Sequence, residues 1–211
     1  MSSLRKRPEL NENTLEKGEL NSLFELDYIK KIIFSDNSIE NKIIKGIEFN
    51  ECIFNNINFT STEISNVFFV DVQFNDCDFS NATIDMSSFF RCSFKNCKLL
   101  GVNVYNTALS DTDFSGNLKY INFIDNKFKK VRFFSSSLEE GRFISNNFTN
   151  VYFEKCNMLK IEFEQCNLKG IDLSSNDISG IKINPYELKD VKISMFQAQA
   201  VAKLLGIILV D

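Results

Sequence analysis

The chain has 211 residues, with 24 Lys and Arg against 28 Asp and Glu, a formal net charge of −4 and no histidine. This acidic balance provides no basic surface of the kind that binds nucleic acid, so we expect no direct nucleic-acid binding. The lack of histidine removes the commonest general base and metal ligand, which argues against an enzyme.

The N-terminal region differs from the rest of the chain. Its first stretch, MSSLRKRPEL, has a basic run but no apolar segment after it, so we expect no signal peptide, no membrane span and a cytoplasmic location. We predict a flexible tail over residues 1–20. From 21 to 45 large apolar residues recur every fifth position, but polar Asp27, Asn37 and Lys42 stand where small residues should. A closed core disfavours such groups, so the sequence predicts an irregular coil or cap over 21–45.

The central region, 46–193, has a period of five. Large apolar residues such as Phe49, Phe54 and Phe59 recur from residue 49 to 183, with one four-residue step at SGNL, 115–118. Two positions before most of them stands a small or β-branched residue. Neither an α-helix nor a simple strand has this period, and self-similarity at a fixed short period predicts a solenoid.

The repeated unit, as in CDFSN at 77–81, resembles the pentapeptide-repeat family. The resemblance implies an all-β fold, a right-handed quadrilateral parallel β-helix in which four pentads form one coil. Residues one coil apart should then stack in columns, and one predicted column comprises Phe54, Phe74, Phe94, Phe114, Phe133, Phe153 and Leu173. The columns stay coherent across SGNL, which predicts a bulge or tightened corner there. About seven coils at about 4.8 Å give a rod roughly 34 Å long.

The C-terminal region, 194–211, is predicted to form a helix and a strand. SMFQAQAVAKLLG at 194–206 predicts a short helix with Ser194 as its N-cap and Gly206 past its end, and IILV at 207–210 predicts a strand. A terminal repeat normally shows polar groups to solvent. This apolar end therefore indicates either a two-fold homodimer or a helix that caps its own coil. The residues predicted for dimerisation are Phe196, Val201, Leu204, Leu205, Ile207, Ile208 and Leu209.

The six cysteines all occupy the small inward position of the repeat. Cys92 and Cys97 are close in sequence, but no histidine or third thiol completes a tetrahedral metal site. We therefore predict buried free thiols, a reducing compartment, no metal and no cofactor. Nucleophile–base pairs and glycine-rich phosphate loops are also lacking, so we predict no catalytic residues.

Acidic residues are concentrated in the first half of the repeats. Residues 46–116 contain nine acids and three bases, and Glu51, Asp71, Arg91 and Asp111 should share one corner row. The functional interpretation is a surface that imitates duplex DNA; the alternative is ordinary solubilising charge. A 34 Å duplex carries about 20 phosphates, so an excess of six makes only a partial mimic. The acids predicted to contact a partner are Glu48, Glu51, Asp71, Asp76, Asp78, Asp111 and Asp113.

Outward apolar residues are further candidates for contact. Phe68, Val70 and Phe90 should lie near one another on one side. Another outward row should hold Tyr105, Ile124 and Ile144. These side chains indicate either a contact patch or simple ladders between coils.

The C-terminal stretch resembles the end of the Qnr quinolone-resistance proteins, especially the chromosomal type of Gram-positive bacteria. The residues that carry the resemblance are Val191, Lys192, Ile193, Gln197, Gln199, Leu205, Gly206, Ile207 and Ile208. It implies a cytoplasmic homodimer, joined through its C-termini, that binds DNA gyrase and topoisomerase IV and protects them from fluoroquinolones. Many Qnr proteins have projecting loops that matter for protection, and no such insertion interrupts the repeat here. The alternative is a passive scaffold or regulatory binding module unrelated to topoisomerases.

Overall fold

The computed structural model describes residues 6–20 and 26–208, and most of them form short strands in three parallel sheets. The first sheet stacks β1 Glu16–Lys17, β3 Ile32–Ser38, β6 Ile53–Asn58, β9 Gln73–Asn75, β12 Ser93–Lys98, β15 Asp113–Asn117, β18 Arg132–Phe134 and β21 Tyr152–Glu154. The second stacks β4 Ile43–Lys45, β7 Glu63–Ser65, β10 Thr83–Asp85, β13 Asn103–Tyr105, β16 Asn122–Ile124, β19 Arg142–Ile144 and β22 Glu162–Glu164. The third stacks β2 Tyr28–Lys30, β5 Glu48–Asn50, β8 Phe68–Val70, β11 Ser88–Phe90, β14 Ala108–Ser110, β17 Lys127–Lys129 and β20 Asn147–Thr149.

A fourth side closes each coil. It consists of isolated parallel bridges between successive coils, such as Asn58 with Asp78 and Asp78 with Lys98. Together the four sides make a quadrilateral parallel β-solenoid of about seven turns. The predicted fold class is confirmed.

The core is a stack of aligned side chains. Phe74, Phe94 and Phe114 pair in register on β9, β12 and β15, and their rings stack at centroid distances of 4.6 and 4.7 Å. The same column continues on either side through Phe34, Phe54, Phe133 and Phe153. The predicted column of phenylalanines is therefore confirmed. Burying these rings stabilises the fold strongly, because large aromatic side chains remove much apolar surface from water.

At most corners of the described coils the chain turns through one residue in the left-handed region. Asp71, Arg91 and Asp111, for example, have φ of 55°, 53° and 51°. The N–H of each of these three residues still bonds to the next coil, as from Asp71 N to Phe90 O at 3.0 Å. Hydrogen bonds between coils thus offset the cost of a conformation that most L-residues avoid.

The four-residue step at 115–118 is a bulge. The register between β12 and β15 shifts after Phe94, so that Cys97 faces Gly116. Gly116 has φ of 135°, and a Cβ there would overlap the carbonyl oxygen of Cys97 and lie 2.8 Å from its nitrogen. The repeat unit here is one residue short, and the backbone accommodates this at Gly116, which confirms the predicted bulge.

Regular pairing extends into the N-terminal region for which the sequence predicts a tail and an irregular cap. Strand β1 pairs with β3, and β2, β3 and β4 pair in register with the coil that follows. Asp27, Asn37 and Lys42 are exposed, so these polar side chains do not enter the core. The 3-10 turn Glu12–Thr14 precedes β1. Phe24 lies outside the described residues.

The C-terminal end begins with two 3-10 turns, Pro185–Leu188 and Met195–Gln197, and continues as helix α1, Ala198–Leu204. The predicted helix at 194–206 is therefore shorter and partly 3-10. Ile207 and Ile208 are not in a strand, and Leu209 lies outside the described residues. None of the helices in the described ranges is long and apolar enough to span a membrane.

Candidate partner-binding surface

One corner of the solenoid holds the row that we call the first corner row: Glu51, Asp71, Arg91 and Asp111. Asp71 accepts from the Arg91 guanidinium at both carboxylate oxygens, with Nε–Oδ1 at 2.6 Å. The hydrogen bond that Arg91 donates to Asp71 is the largest cause of the raised pKa of Arg91, although burial acts in the opposite direction. Glu51 pairs with Lys30 at 3.0 Å and with Lys31 at 3.8 Å. These pairs neutralise part of the negative charge that the sequence analysis predicts to contact a partner.

The chain's own N-terminal segment lies on the same row. Lys6 N donates to Asp111 Oδ1 at 3.0 Å, and Glu9 N donates to Asp71 Oδ1 at 2.9 Å. Asp71 and Asp111 are only 5% and 8% exposed. Neither carboxylate is open to a partner in this conformation, so two of the predicted contact acids are covered.

Of the other predicted acids, Asp113, Glu48 and Asp78 lie on the first, third and fourth sides, and Asp76 lies at a corner. Asp78 pairs with Lys98 at 3.0 Å and accepts from Ser80. Burial tends to raise the pKa of Asp78, but the Ser80 and Lys98 contacts outweigh it and lower the pKa overall. Asp113 pairs with Arg132 at 3.0 Å, and Glu48 is half-buried on β5. Only Asp76 among the seven predicted acids is exposed.

Asp76 belongs to the adjacent corner, which we call the second corner row: Asp36, Asn56, Asp76 and Asn96. Asn56 Nδ2 donates to Asp36 Oδ1 at 2.8 Å, and Asn96 Nδ2 donates to Asp76 Oδ1 at 2.6 Å. All four residues are exposed. The two carboxylates are two coils apart, about 10 Å. The sequence analysis missed Asp36, although its spacing of forty residues from Asp76 marks the same row.

The outward apolar residues lie in two separate regions of the surface. Val70 pairs with Phe90 on β8 and β11, while Phe68 and Phe90 are 45% and 37% exposed. Tyr105, Ile124 and Ile144 align on β13, β16 and β19 and are half-buried. The second set forms a ladder between coils, whereas Phe68 presents more of its ring to solvent.

The cysteines are buried core residues. All six are free and buried, which confirms the prediction of free core thiols. Desolvation raises the pKa of Cys92 to about 12, and burial raises the pKa of Cys52 and Cys156 as well. Within residues 6–20 and 26–208, no group of three or more His, Cys, Asp or Glu side chains could hold a metal ion.

Gln197 has a structural role that the sequence analysis did not predict. Its Nε2 donates to the carbonyl oxygens of Leu173 and Asn176 at 2.8 and 2.6 Å, and its Oε1 accepts from Ser194 N at 2.7 Å. It therefore satisfies carbonyl groups at the open edge of the last coils.

The predicted dimerisation residues fall into two groups. Leu204 packs against the core and Val201 is half-buried. Phe196, Leu205, Ile207 and Ile208 are 94%, 54%, 51% and 88% exposed. The helix thus covers its own last coil with one set of residues and leaves another apolar set in solvent.

The coil register and sequence profiles together define the class of protein. The profile of the pentapeptide repeat region matches residues 67–143, and that of pentapeptide repeats (8 copies) matches residues 45–84. The molecule is a solenoid built mainly from five-residue units, and residues 45–143 consist of pentapeptide repeats similar to those of this family.

Solved structures similar to this chain include that of a trypsin-treated variant of QnrB1, a plasmid-mediated fluoroquinolone resistance protein. It is 19% identical, with a TM-score of 0.42 over 87% of this chain and 90% of that one. HetL, involved in heterocyst differentiation regulation in the cyanobacterium Nostoc sp. strain PCC 7120, is 12% identical, with a TM-score of 0.44 over 78% and 86%. Rfr23 from the cyanobacterium Cyanothece 51142 is 12% identical, with a TM-score of 0.30 over 83% and 97%. Comparison with curated proteins gives no match.

Proposed function

We propose that this chain is a cytoplasmic, non-catalytic protein that binds DNA gyrase or topoisomerase IV as a partial mimic of duplex DNA. In this role it would modulate the enzyme and protect it from fluoroquinolones. The C-terminal sequence supports the proposal, because it resembles the ending of Gram-positive Qnr proteins. The observation that carries it is the solenoid of about seven coils, whose first half has nine acids against three bases over 46–116.

The structure changes which acids the proposal uses. Asp71 and Asp111 are buried, and Glu51, Asp71, Asp78 and Asp113 are paired with bases. The exposed carboxylates of the second corner row, Asp36 and Asp76, are better placed to meet a cationic DNA-binding surface. Exposed charges of this kind affect association and specificity more than they affect the fold.

A DNA supercoiling assay with purified gyrase tests the proposal, with and without ciprofloxacin, alongside a decatenation assay with topoisomerase IV. We expect the chain to inhibit the enzyme at high concentration or to restore activity in the presence of the drug. No inhibition, no rescue and no capture of a gyrase or topoisomerase IV subunit would reject the proposal.

Charge reversal on the second corner row should weaken binding to the enzyme. For the double variant Asp36→Lys/Asp76→Lys we expect an affinity loss on the order of tenfold, about 1.4 kcal/mol, because two attractive charges become repulsive. Lysine fits this backbone conformation, since Lys130, Lys155 and Lys160 already occupy corners with φ near 55°. Titration of supercoiling inhibition measures the change.

Asp125→Lys is the matched control for the single variant Asp76→Lys, because Asp125 is an exposed corner residue with φ of 57° on the diagonally opposite edge, and the two variants change the net charge equally. It should leave inhibition close to that of the parent. Equal losses in Asp125→Lys and Asp76→Lys would mean that only net charge matters, and the second corner row would then have no specific role.

The exposed apolar residues at the C-terminal end support a homodimer. Phe196 and Ile208 are 94% and 88% exposed in the single chain, and contiguous apolar groups of this kind often mark protein contacts. The double variant Phe196→Asp/Ile208→Asp should therefore sediment as a monomer at micromolar concentration, whereas the parent should sediment as a dimer. Phe68→Asp, a change on an exposed ring far from this end, should remain dimeric. A monomeric parent would remove the dimer from the proposal.

A passive scaffold is the second candidate. The observation that favours it is the internal pairing of carboxylates with bases on adjacent coils, as in Asp71 with Arg91 and Asp78 with Lys98. Such ladders need no partner. A scaffold predicts that Asp36→Lys/Asp76→Lys leaves drug susceptibility of an expressing strain unchanged, while affinity capture recovers a protein unrelated to topoisomerases.

A further inference from the structure

The N-terminal segment 6–9 contacts the first corner row through its backbone rather than its side chains. The N–H groups of Lys6 and Glu9 reach Asp111 and Asp71 at 3.0 and 2.9 Å. Hydrogen bonds from a neutral donor to a carboxylate are stronger than those between two neutral groups. The segment is therefore docked on the row specifically at its carboxylates.

The spacing of the two contacts fits an extended peptide. Glu9 is three residue steps beyond Lys6, and an extended chain spans about 10 Å over three steps. Asp71 and Asp111 are two coils apart, which is also about 10 Å at the spacing of parallel strands. The row thus matches an extended chain that runs along the solenoid axis.

The segment contributes to the burial of both carboxylates, and Arg91 covers Asp71 as well. Asp36, Asp76 and Asp125 occupy equivalent corner positions, with φ between 51° and 57°, and all are exposed. Asp71 and Asp111 have the same backbone conformation but are buried. The charge of Glu9 also acts on Arg91, together with those of Asp71 and Asp111.

The attachment of the segment is slight. Lys6, Arg7 and Glu9 are exposed, and Pro8 and Leu10 are only half-buried. Few buried apolar contacts and few hydrogen bonds mark a part of a protein that opens at low free-energy cost. Ordering the backbone of these residues also costs conformational entropy, which opposes the two hydrogen bonds.

We propose that residues 6–9 form a displaceable strap, which keeps Asp71 and Asp111 from a cationic, DNA-binding partner until the strap leaves the first corner row. The inference rests on the proposed function, since it names the regulation of that acidic surface. A partner with an extended, donor-rich segment would take the place of the strap's N–H groups. Strap release exposes one end of the row at Asp111 and frees the face of Asp71 that Arg91 does not hold.

Proline substitution tests the strap without changing the acidic row. Lys6→Pro/Glu9→Pro removes both N–H donors, because proline has none. Lys6→Ala/Glu9→Ala is the matched control, since it removes the same side chains and keeps both donors. Carboxylate labelling with a water-soluble carbodiimide and an amine, followed by mass spectrometry, measures exposure without any partner. Asp76, which is already exposed, serves as the internal standard.

We expect labelling of Asp111 to rise at least about threefold in the proline variant and to stay near the parent rate in the alanine variant. Asp71 should respond less, because Arg91 still holds its carboxylate. The concentration for half-maximal inhibition of gyrase should fall by at least about threefold, because a larger fraction of the chain is then competent to bind.

The outcomes separate this inference from the proposed function. Unchanged labelling of Asp111 would show that the strap does not cover the row and would overturn the inference. Faster labelling with unchanged inhibition would also overturn it, while a parent that inhibits gyrase would leave the proposed function standing. Faster labelling of a chain that binds neither gyrase nor topoisomerase IV would overturn both proposals. The strap would then cover the row, but the partner that it is proposed to regulate would be the wrong one.

Discussion

Replacing Phe94 with alanine should lower the free energy of unfolding by about 3–5 kcal/mol. The ring is 2% exposed and stacks between Phe74 and Phe114, at centroid distances of 4.6 and 4.7 Å. It also meets the edges of rings on neighbouring sides, including Phe79 at 5.8 Å. Its removal leaves a cavity in the middle of a column that cannot collapse, because hydrogen bonds fix the coil spacing. Urea denaturation measures the loss.

Phe68→Ala is the matched control for the packing argument. Phe68 carries the same side chain on β8, but it is 45% exposed. The control should cost less than about 1 kcal/mol, as is usual for exposed positions. Similar losses in the two variants would contradict a stability that comes from the stacked column.

Replacing Gly116 with valine should have the second large effect, a loss of at least about 3 kcal/mol or failure to fold. Its φ of 135° lies where L-residues are strained, and its Cβ would overlap the carbonyl oxygen of Cys97. Strain in the backbone costs about 1–3 kcal/mol by itself, and the overlap with a backbone atom adds to it. The thermal midpoint and the recovery of soluble protein measure the effect.

Gly170→Val separates strain from overlap. Gly170 also has a positive φ, of 80°, but nothing lies within 4 Å of its ideal Cβ position. This variant should therefore show the cost of strain alone and should remain soluble. If the Gly116 variant were as stable as the Gly170 variant, the close approach to Cys97 would not be what requires glycine.

The sequence predicts the core well because the core is periodic. A large apolar side chain at every fifth residue marks the positions that face inward. Inward residues that are one coil length apart in the sequence then stack on one another. Even the step at 115–118 is readable, because Phe94, Phe114 and Phe133 stay in one column only if one residue is absorbed between them. Asn146 shows the limit of the pattern, since it is a buried amide at a small inward site and donates to Phe123 O at 2.8 Å.

The sequence predicts the candidate site less well because its contacts are not periodic. The bonds from Lys6 to Asp111 and from Glu9 to Asp71 join residues 105 and 62 positions apart. Nothing in the N-terminal residues themselves indicates such a contact. The row of Glu51, Asp71, Arg91 and Asp111 is predictable from spacing, but its exposure depends on what covers it. The sequence therefore places the acids and does not reveal which are free.

A three-component binding experiment tests the central claim most directly. Fluorescence anisotropy of a labelled DNA duplex bound to gyrase should fall as the chain is added, because a mimic and the duplex occupy the same surface. Excess duplex should in turn displace the chain from the enzyme. A stable complex that contains gyrase, duplex and chain together, with unchanged duplex affinity, would contradict the account.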